Sequence, residues 1–218
     1  MSSRKRAVLR ARKEQKNRNL ILVGIIAVIV VAMVTAIALN RDSGSSSAAA
    51  GPQTRDVNVT GAALPTYDQN AATDPAVGKT IPTLTGQNFD GQTVSVANDG
   101  KPKAILFGAH WCPHCQREIP LLSSALRSQS LPAGVEMTLV STGVDANAPN
   151  YPPSKWLTGV QWPTPIIADN ADSAAAKAYG LSAYPYFVFV DANNKVVART
   201  SGEIPVEQFR TLVNQIAK

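Results

Sequence analysis

Residues 103–115 read KAILFGAHWCPHC. Lys103–Gly108 is a short, almost unbroken apolar run, the pattern of a strand buried on both faces of a sheet. Pro113 then stands where a helix can open, because the N–H it lacks would be unpaired there anyway. A buried strand running directly into a helix, with two cysteines at the junction, sets the class: an α/β domain.

The flanking elements extend that pattern. Val57–Thr60 is expected as a short edge strand. Thr80–Val96 is expected as a hairpin turning at Asp90–Gly91. The helix from Pro113 should run to about Gln129, kinked at Pro120. Val135–Thr142 reads as a strand, Pro153–Gly159 as a short helix, and Ser173–Tyr179 as a helix stopped by Gly180. Tyr186–Val190 and Lys195–Thr200 read as a hairpin, followed by a helix over Val206–Lys218 behind Pro205. Strands alternating with helices, then a hairpin and a helix, predict a central mixed sheet flanked by helices, over residues 55–218.

The net charge of +6 belongs to one end of the chain. Residues 1–19 hold eight basic residues and one acid, while the rest has 13 basic and 14 acidic. Residues 20–39 (LILVGIIAVIVVAMVTAIAL) carry no charge. Twenty residues of helix span about 30 Å, the thickness of a bilayer's hydrocarbon. The sequence therefore predicts a cytoplasmic basic arm (1–19), one transmembrane signal-anchor helix (20–39), a Ser-, Gly- and Ala-rich tether (40–54) and an extracytoplasmic domain. A cleaved leader ending near Ala36 and Ala38 is the competing reading. Beside such a segment, the arm reads as a topology signal and not as a nucleic-acid-binding tail.

Cys112 and Cys115 are the chain's two cysteines. Residues three apart on a helix have Cβ atoms about 5–6 Å apart, so a small adjustment permits a disulfide. An exported domain also sits where disulfides form and exchange. Cys112 at the helix N-terminus faces free N–H groups and the positive end of the helix dipole, which favour a thiolate. Cys112 is thus the expected nucleophile and Cys115 the resolving cysteine. His114, between them, could donate to or pair with the Cys112 sulfur and so stabilise the reduced form. That would make the disulfide a stronger oxidant.

The run Phe107–Cys115, followed by Glu118-Ile119-Pro120, resembles the W-C-x-x-C-x-x-E-x-P signature of the thioredoxin-like, TlpA/ResA-type family of membrane-anchored oxidoreductases. Phe89-Asp90-Gly91, and Gly180–Pro185 before the strand Phe187–Asp191, continue the resemblance, which covers about Val77 to Lys218. It implies a thioredoxin-like fold and a cis Pro185 facing the cysteines, with the backbone at Tyr184 free to pair with a substrate strand. Trp111 reads equally as a partner contact that shields the thiolate or as a packing residue at the strand end, and Pro113 is a further candidate for partner contact. Two departures stand out. Leu106 occupies the place of the buried acid of many thioredoxins, which makes Glu118 the candidate proton acceptor for Cys115. The Pro113–His114 dipeptide is DsbA-like, and so points to an oxidant on a reductase-type scaffold.

Three functions follow as expectations. The first is oxidation or isomerisation of exported protein thiols. The second is reduction of specific exported disulfides, as in cytochrome c maturation. The third is a copper- or zinc-binding module using Cys112, Cys115 and His110 or His114. The exchange readings need no cofactor, no nucleic acid, and a separate membrane redox partner to move electrons.

Overall fold

The structure is a computed structural model that describes residues 51–218. The basic arm, the apolar segment 20–39 and the tether up to residue 50 lie outside the described residues. Among the described residues, no helix is long and apolar enough to cross a membrane.

The described residues form eight strands and four helices, with helices interleaved after the fourth strand. They are β1 (Asn58–Thr60), β2 (Thr83–Gln87), β3 (Thr93–Val96), β4 (Lys103–Gly108), α1 (Pro113–Ser128), β5 (Glu136–Ser141), α2 (Pro153–Gly159), β6 (Ile166–Ala168), α3 (Ala174–Ala178), β7 (Tyr186–Val190), β8 (Val196–Ser201) and α4 (Val206–Ile216). The strands form one mixed sheet in the order β1-β2-β6-β5-β4-β7-β8, with β3 paired to β2. β4 is central, parallel to β5 and antiparallel to β7, in a register that sets Leu106 opposite both Leu139 and Phe187. The fold is the mixed α/β sheet flanked by helices that the alternation predicts, and it is thioredoxin-like, as the resemblance implies.

The side-chain period of two divides β4 between two cores. Ala104 and Leu106 join Ile119 and Leu122 of α1, Phe209 and Val213 of α4, Leu157 of α2, and Phe187 and Phe189. Ile105 and Phe107 face the other way, onto Tyr179, Tyr186, Val188, Ala175 and Ala176 of α3, and Leu64 and Ile81. Each fully buried large apolar side chain contributes roughly 1.5–3 kcal/mol relative to an exposed one. β4 is buried along its whole length between these two layers. The cysteine turn hangs from its end.

One expectation changes, and one strand is added. Composition places Gln53 in the tether, but it is buried. Its Oε1 accepts from the Ser154 N–H at the start of α2 (3.0 Å) and its Nε2 donates to Gly51 O. A polar tether residue is ordered here because it satisfies a helix N-terminal N–H that has no partner within the helix. The tether therefore gives way to packed chain before residue 55. Strand β6 (IIA) has no signature in the sequence, since three apolar residues carry no usable period. The final helix runs Val206–Ile216 with Ala217 as its C-cap, within the expected span.

Candidate active site

The redox turn grows from the end of β4. Gly108 closes the strand, and a Cβ there would stand 2.9 Å from Ile119 Cδ1 and 3.9 Å from Cys115 Sγ. The bare glycine lets α1 lie close against the strand end. Cys112 keeps extended backbone angles (φ −69°, ψ 121°) at the N-cap position, followed by Pro113. Its N–H donates to Ala109 O at 3.1 Å, and its carbonyl accepts the Gln116 N–H at 3.0 Å, the first bond of the helix. No side chain caps this helix, so the free N–H groups of its first turn are left to whatever charge develops at the Cys112 sulfur.

Cys112 and Cys115 are both free thiols. Cys112 is 5% exposed and Cys115 fully buried. The Cys112 thiol donates to Tyr184 O at 3.7 Å. Burial pushes the Cys115 thiol far up, with added repulsion from Cys112 and Glu118. The two sulfurs are thereby unequal: one at the surface end of the turn beside a backbone carbonyl, the other kept neutral in the core.

Tyr184 brings the opposite wall. The Tyr184–Pro185 peptide is cis, and Pro185 O accepts from the Gly202 N–H at 2.8 Å. Trp111, 36% exposed, meets the Tyr184 ring edge-on at 5.8 Å, and its indole N–H donates to Gly143 O at 2.6 Å. Gly143 has φ +62°, and a Cβ there would sit 2.7 Å from the Tyr184 hydroxyl. Glycine alone fits that approach. Trp111, Gly143 and Tyr184 thus form one interlocked rim beside Cys112. Pro113, next to Cys112 in the chain, is exposed.

His110, a possible metal ligand from sequence, is buried and spent on the backbone. One ring nitrogen donates to Pro149 O (2.7 Å) and the other accepts the Asp145 N–H (3.2 Å). Its own carbonyl accepts from Gln116 Nε2 and Asn150 Nδ2. His110 therefore fastens the loop after β5 to the cysteine turn. With both nitrogens engaged, it has no lone pair to offer a metal. Among the described residues, no group of three or more His, Cys, Asp or Glu side chains is placed to hold a metal ion.

His114 differs from expectation in its partner. Its Nδ1 lies 2.5 Å from Glu203 Oε1 and 2.8 Å from Arg117 Nη2. Among the described residues no hydrogen bond joins its ring to the Cys112 sulfur, whose partner is Tyr184 O. Glu203 and Arg117 carry no local sequence signal. Glu203 comes from the loop after β8, 89 residues beyond His114, and only the packing of α1 against that loop joins them.

Glu118 sits one turn below Cys115 on α1 and is 5% exposed. Its Oε1 accepts the Ile204 N–H at 2.9 Å, while Oε2 has no protein partner. Burial pushes its carboxyl up to about 7, against the Ile204 hydrogen bond and with help from Glu203. A carboxyl poised there can take or give a proton near neutrality. Between its ordinary 4.5 and about 7 the folded state holds a proton that the unfolded chain has lost. Stability therefore falls as pH rises through that window and stays lower above it. Glu118→Gln keeps an acceptor for Ile204 and cannot ionise. Its urea midpoint should gain on the wild type between pH 4.5 and 7 and keep that gain at pH 8. Its resolving step, followed at pH 7 as decay of a mixed disulfide, should slow on the order of a hundredfold. An unchanged decay rate would remove Glu118 from proton transfer.

Known proteins carry the same architecture. A 27% identical stretch of 142 residues, 65% of this chain and 78% of the relative, is shared with the thiol-disulfide oxidoreductase ResA of Geobacillus thermodenitrificans. The methylamine utilization protein MauD of Methylophilus methylotrophus is 25% identical over 128 residues, 57% of this chain and 56% of its own, so the chain spans little more than half of that protein. The soluble secreted antigen MPT53 of Mycobacterium bovis is 29% identical over 140 residues, 61% of this chain and 74% of its own. Among solved structures, a thioredoxin-family thiol:disulfide interchange protein from Chlorobium tepidum superposes with a TM-score of 0.54 at 19% identity, covering 68% of this chain and all of its own. The AhpC/TSA family profile matches residues 77–199, from the segment before β2 through most of β8, with both cysteines inside it. The chain is an oxidoreductase of thioredoxin-like fold and belongs to the AhpC/TSA family.

Proposed function

We propose that the domain carries out thiol–disulfide exchange on exported proteins through Cys112 and Cys115, outside the cell membrane to which residues 20–39 anchor it. One observation carries the reading. A cysteine at a helix N-terminus, its sulfur beside Tyr184 O, is joined through one helical turn to a buried second cysteine. Starting from the dithiol, the Cys112 thiolate attacks a partner disulfide, forming a Cys112–partner bond and releasing one partner thiolate. Cys115 gives its proton to Glu118 and attacks the Cys112 sulfur. The second partner thiol leaves, and the Cys112–Cys115 disulfide holds the two-electron deficit. The same steps reversed oxidise a partner dithiol. Trp111, Pro113 and Tyr184 form the surface a partner chain meets, and a separate membrane redox partner resets the pair.

The Pro113–His114 dipeptide favours oxidation or isomerisation of exported thiols. A second reading, reduction of specific exported disulfides, is favoured by the engagement of His114 with Glu203 instead of with the sulfur. ResA, whose name is that of a thiol-disulfide oxidoreductase, and MPT53, a secreted antigen, support exchange chemistry and an exported setting. Equilibration with glutathione separates the two directions. A potential near about −120 mV supports the oxidase, one near about −270 mV the reductase, and cysteines that never equilibrate would overturn exchange altogether.

A further inference from the structure

His114, Arg117 and Glu203 make a compact cluster on the outer side of the redox turn. Arg117 reaches the Glu203 carboxylate through Nε (3.1 Å) and Nη2 (2.5 Å), and the same carboxylate lies 2.5 Å from His114 Nδ1. Arg117 Nη2 also lies 2.8 Å from Nδ1. That nitrogen cannot serve both neighbours at once. It donates to the carboxylate only when it carries a proton, and accepts from the guanidinium only when it does not. Arg117 already has the carboxylate as its acceptor, so the charge-assisted bond to Glu203 is the one that leaves all three groups satisfied. Hydrogen bonds from Arg117 and His114 hold the Glu203 carboxyl below its ordinary range, in keeping with its acting as their shared anion.

We infer that Glu203 is a positioning residue that holds His114 by Nδ1 and withholds its imidazole from the Cys112 sulfur, tempering the oxidising strength of the cysteine pair. The inference deepens the exchange reading above and rests on it. Reduction of the Cys112–Cys115 disulfide by two glutathione thiols yields the dithiol and one glutathione disulfide, with two electrons and two protons gained by the pair. An imidazole free to donate to, or pair with, Cys112 stabilises the reduced side of that equilibrium. Glu203 removes it from reach by engaging it elsewhere. A DsbA-like dipeptide can thus sit in this turn without its full oxidising effect.

A double-mutant cycle tests this on the full chain in mild detergent, with the glutathione equilibrium constant as readout. Glu203→Ala should shift the equilibrium toward the dithiol by roughly three- to tenfold, where tenfold corresponds to about 30 mV for a two-electron couple. In a His114→Ala background the same substitution should shift it less than about twofold, because the coupling runs through the imidazole. Equal shifts in both backgrounds would mean that Glu203 acts only as a charge through space, and would overturn the assignment. So would no shift, or a shift toward the disulfide. A chain whose cysteines do not equilibrate in any background overturns the exchange reading itself, and this assignment with it.

Discussion

Cys112→Ser lowers thiol–disulfide exchange with a model disulfide by on the order of a thousandfold or more, to the level of free thiol in the buffer. Serine fits the N-cap position and even improves it as a cap, so the fold should survive and the loss be purely chemical. Its hydroxyl neither ionises near neutrality nor attacks sulfur. Cys115→Ala behaves differently. Attack by Cys112 remains, but nothing inside the domain can displace the partner. The Cys112–partner adduct should accumulate and be visible as an added mass that reductant removes. Cys115 is fully buried, so it cannot take over the first attack. Sustained turnover by Cys115→Ala without added thiol would contradict these unequal roles.

Asp74→Ala should cost about 3–5 kcal/mol of unfolding free energy, the scale for breaking one side of a buried ion pair. The Arg199 side chain is wholly inaccessible and pairs with Asp74, itself 13% exposed. Arg199 also donates to Pro65 O at 2.7 Å and to the Tyr186 hydroxyl at 3.0 Å. Without Asp74 those neutral partners remain and the guanidinium charge loses its anion. The same network braces the corner at Gly180, whose φ is +77° and whose missing Cβ would lie 2.3 Å from Pro65 O. That corner delivers Leu181–Pro185 to the cysteines, so destabilisation should be accompanied by weaker partner recognition. Burial works against the Asp74 charge, yet hydrogen bonds from Arg199 and the Ala76 N–H hold its carboxyl below the ordinary 3.8. Its contribution is therefore present above that pH and lost as pH falls below it, and Asp74→Ala should flatten that part of the acid-stability curve. Urea unfolding from pH 2.5 to 7 checks both statements. Replacing both partners by apolar residues, Asp74→Leu with Arg199→Met, should recover much of the loss. A double variant as weak as Asp74→Ala would mean that geometry, and not unpaired charge, sets the cost.

Much of the domain follows from local physics. KAILFG reads as a strand buried on both faces because it is short, continuous and apolar, and Pro113 can open a helix but scarcely continue a strand. Gly180 and Asp90–Gly91 mark turns because backbone geometry leaves few alternatives there. The unequal placement of Cys112 and Cys115 follows from the same junction, since one lies at the helix start and the other one turn into its buried face. Strand β6 was illegible because three residues make no period. Composition puts Gln53 in the tether because it carries no trace of the Ser154 N–H that Gln53 satisfies.

Sequence alone determined the α/β class, the cysteine pair at the strand–helix junction, and Glu118 one turn beyond it, because all of these depend on neighbours within a few residues. Tertiary structure alone decided what surrounds the pair. His110 became a loop fastener because Pro149 and Asp145 come to both of its nitrogens. Tyr184 fits over Gly143 because that glycine has no Cβ. His114 turns to Glu203 because α1 packs against the loop after β8. A hydrogen bond spanning 89 residues is set by the packing of the whole sheet, and no local pattern encodes it.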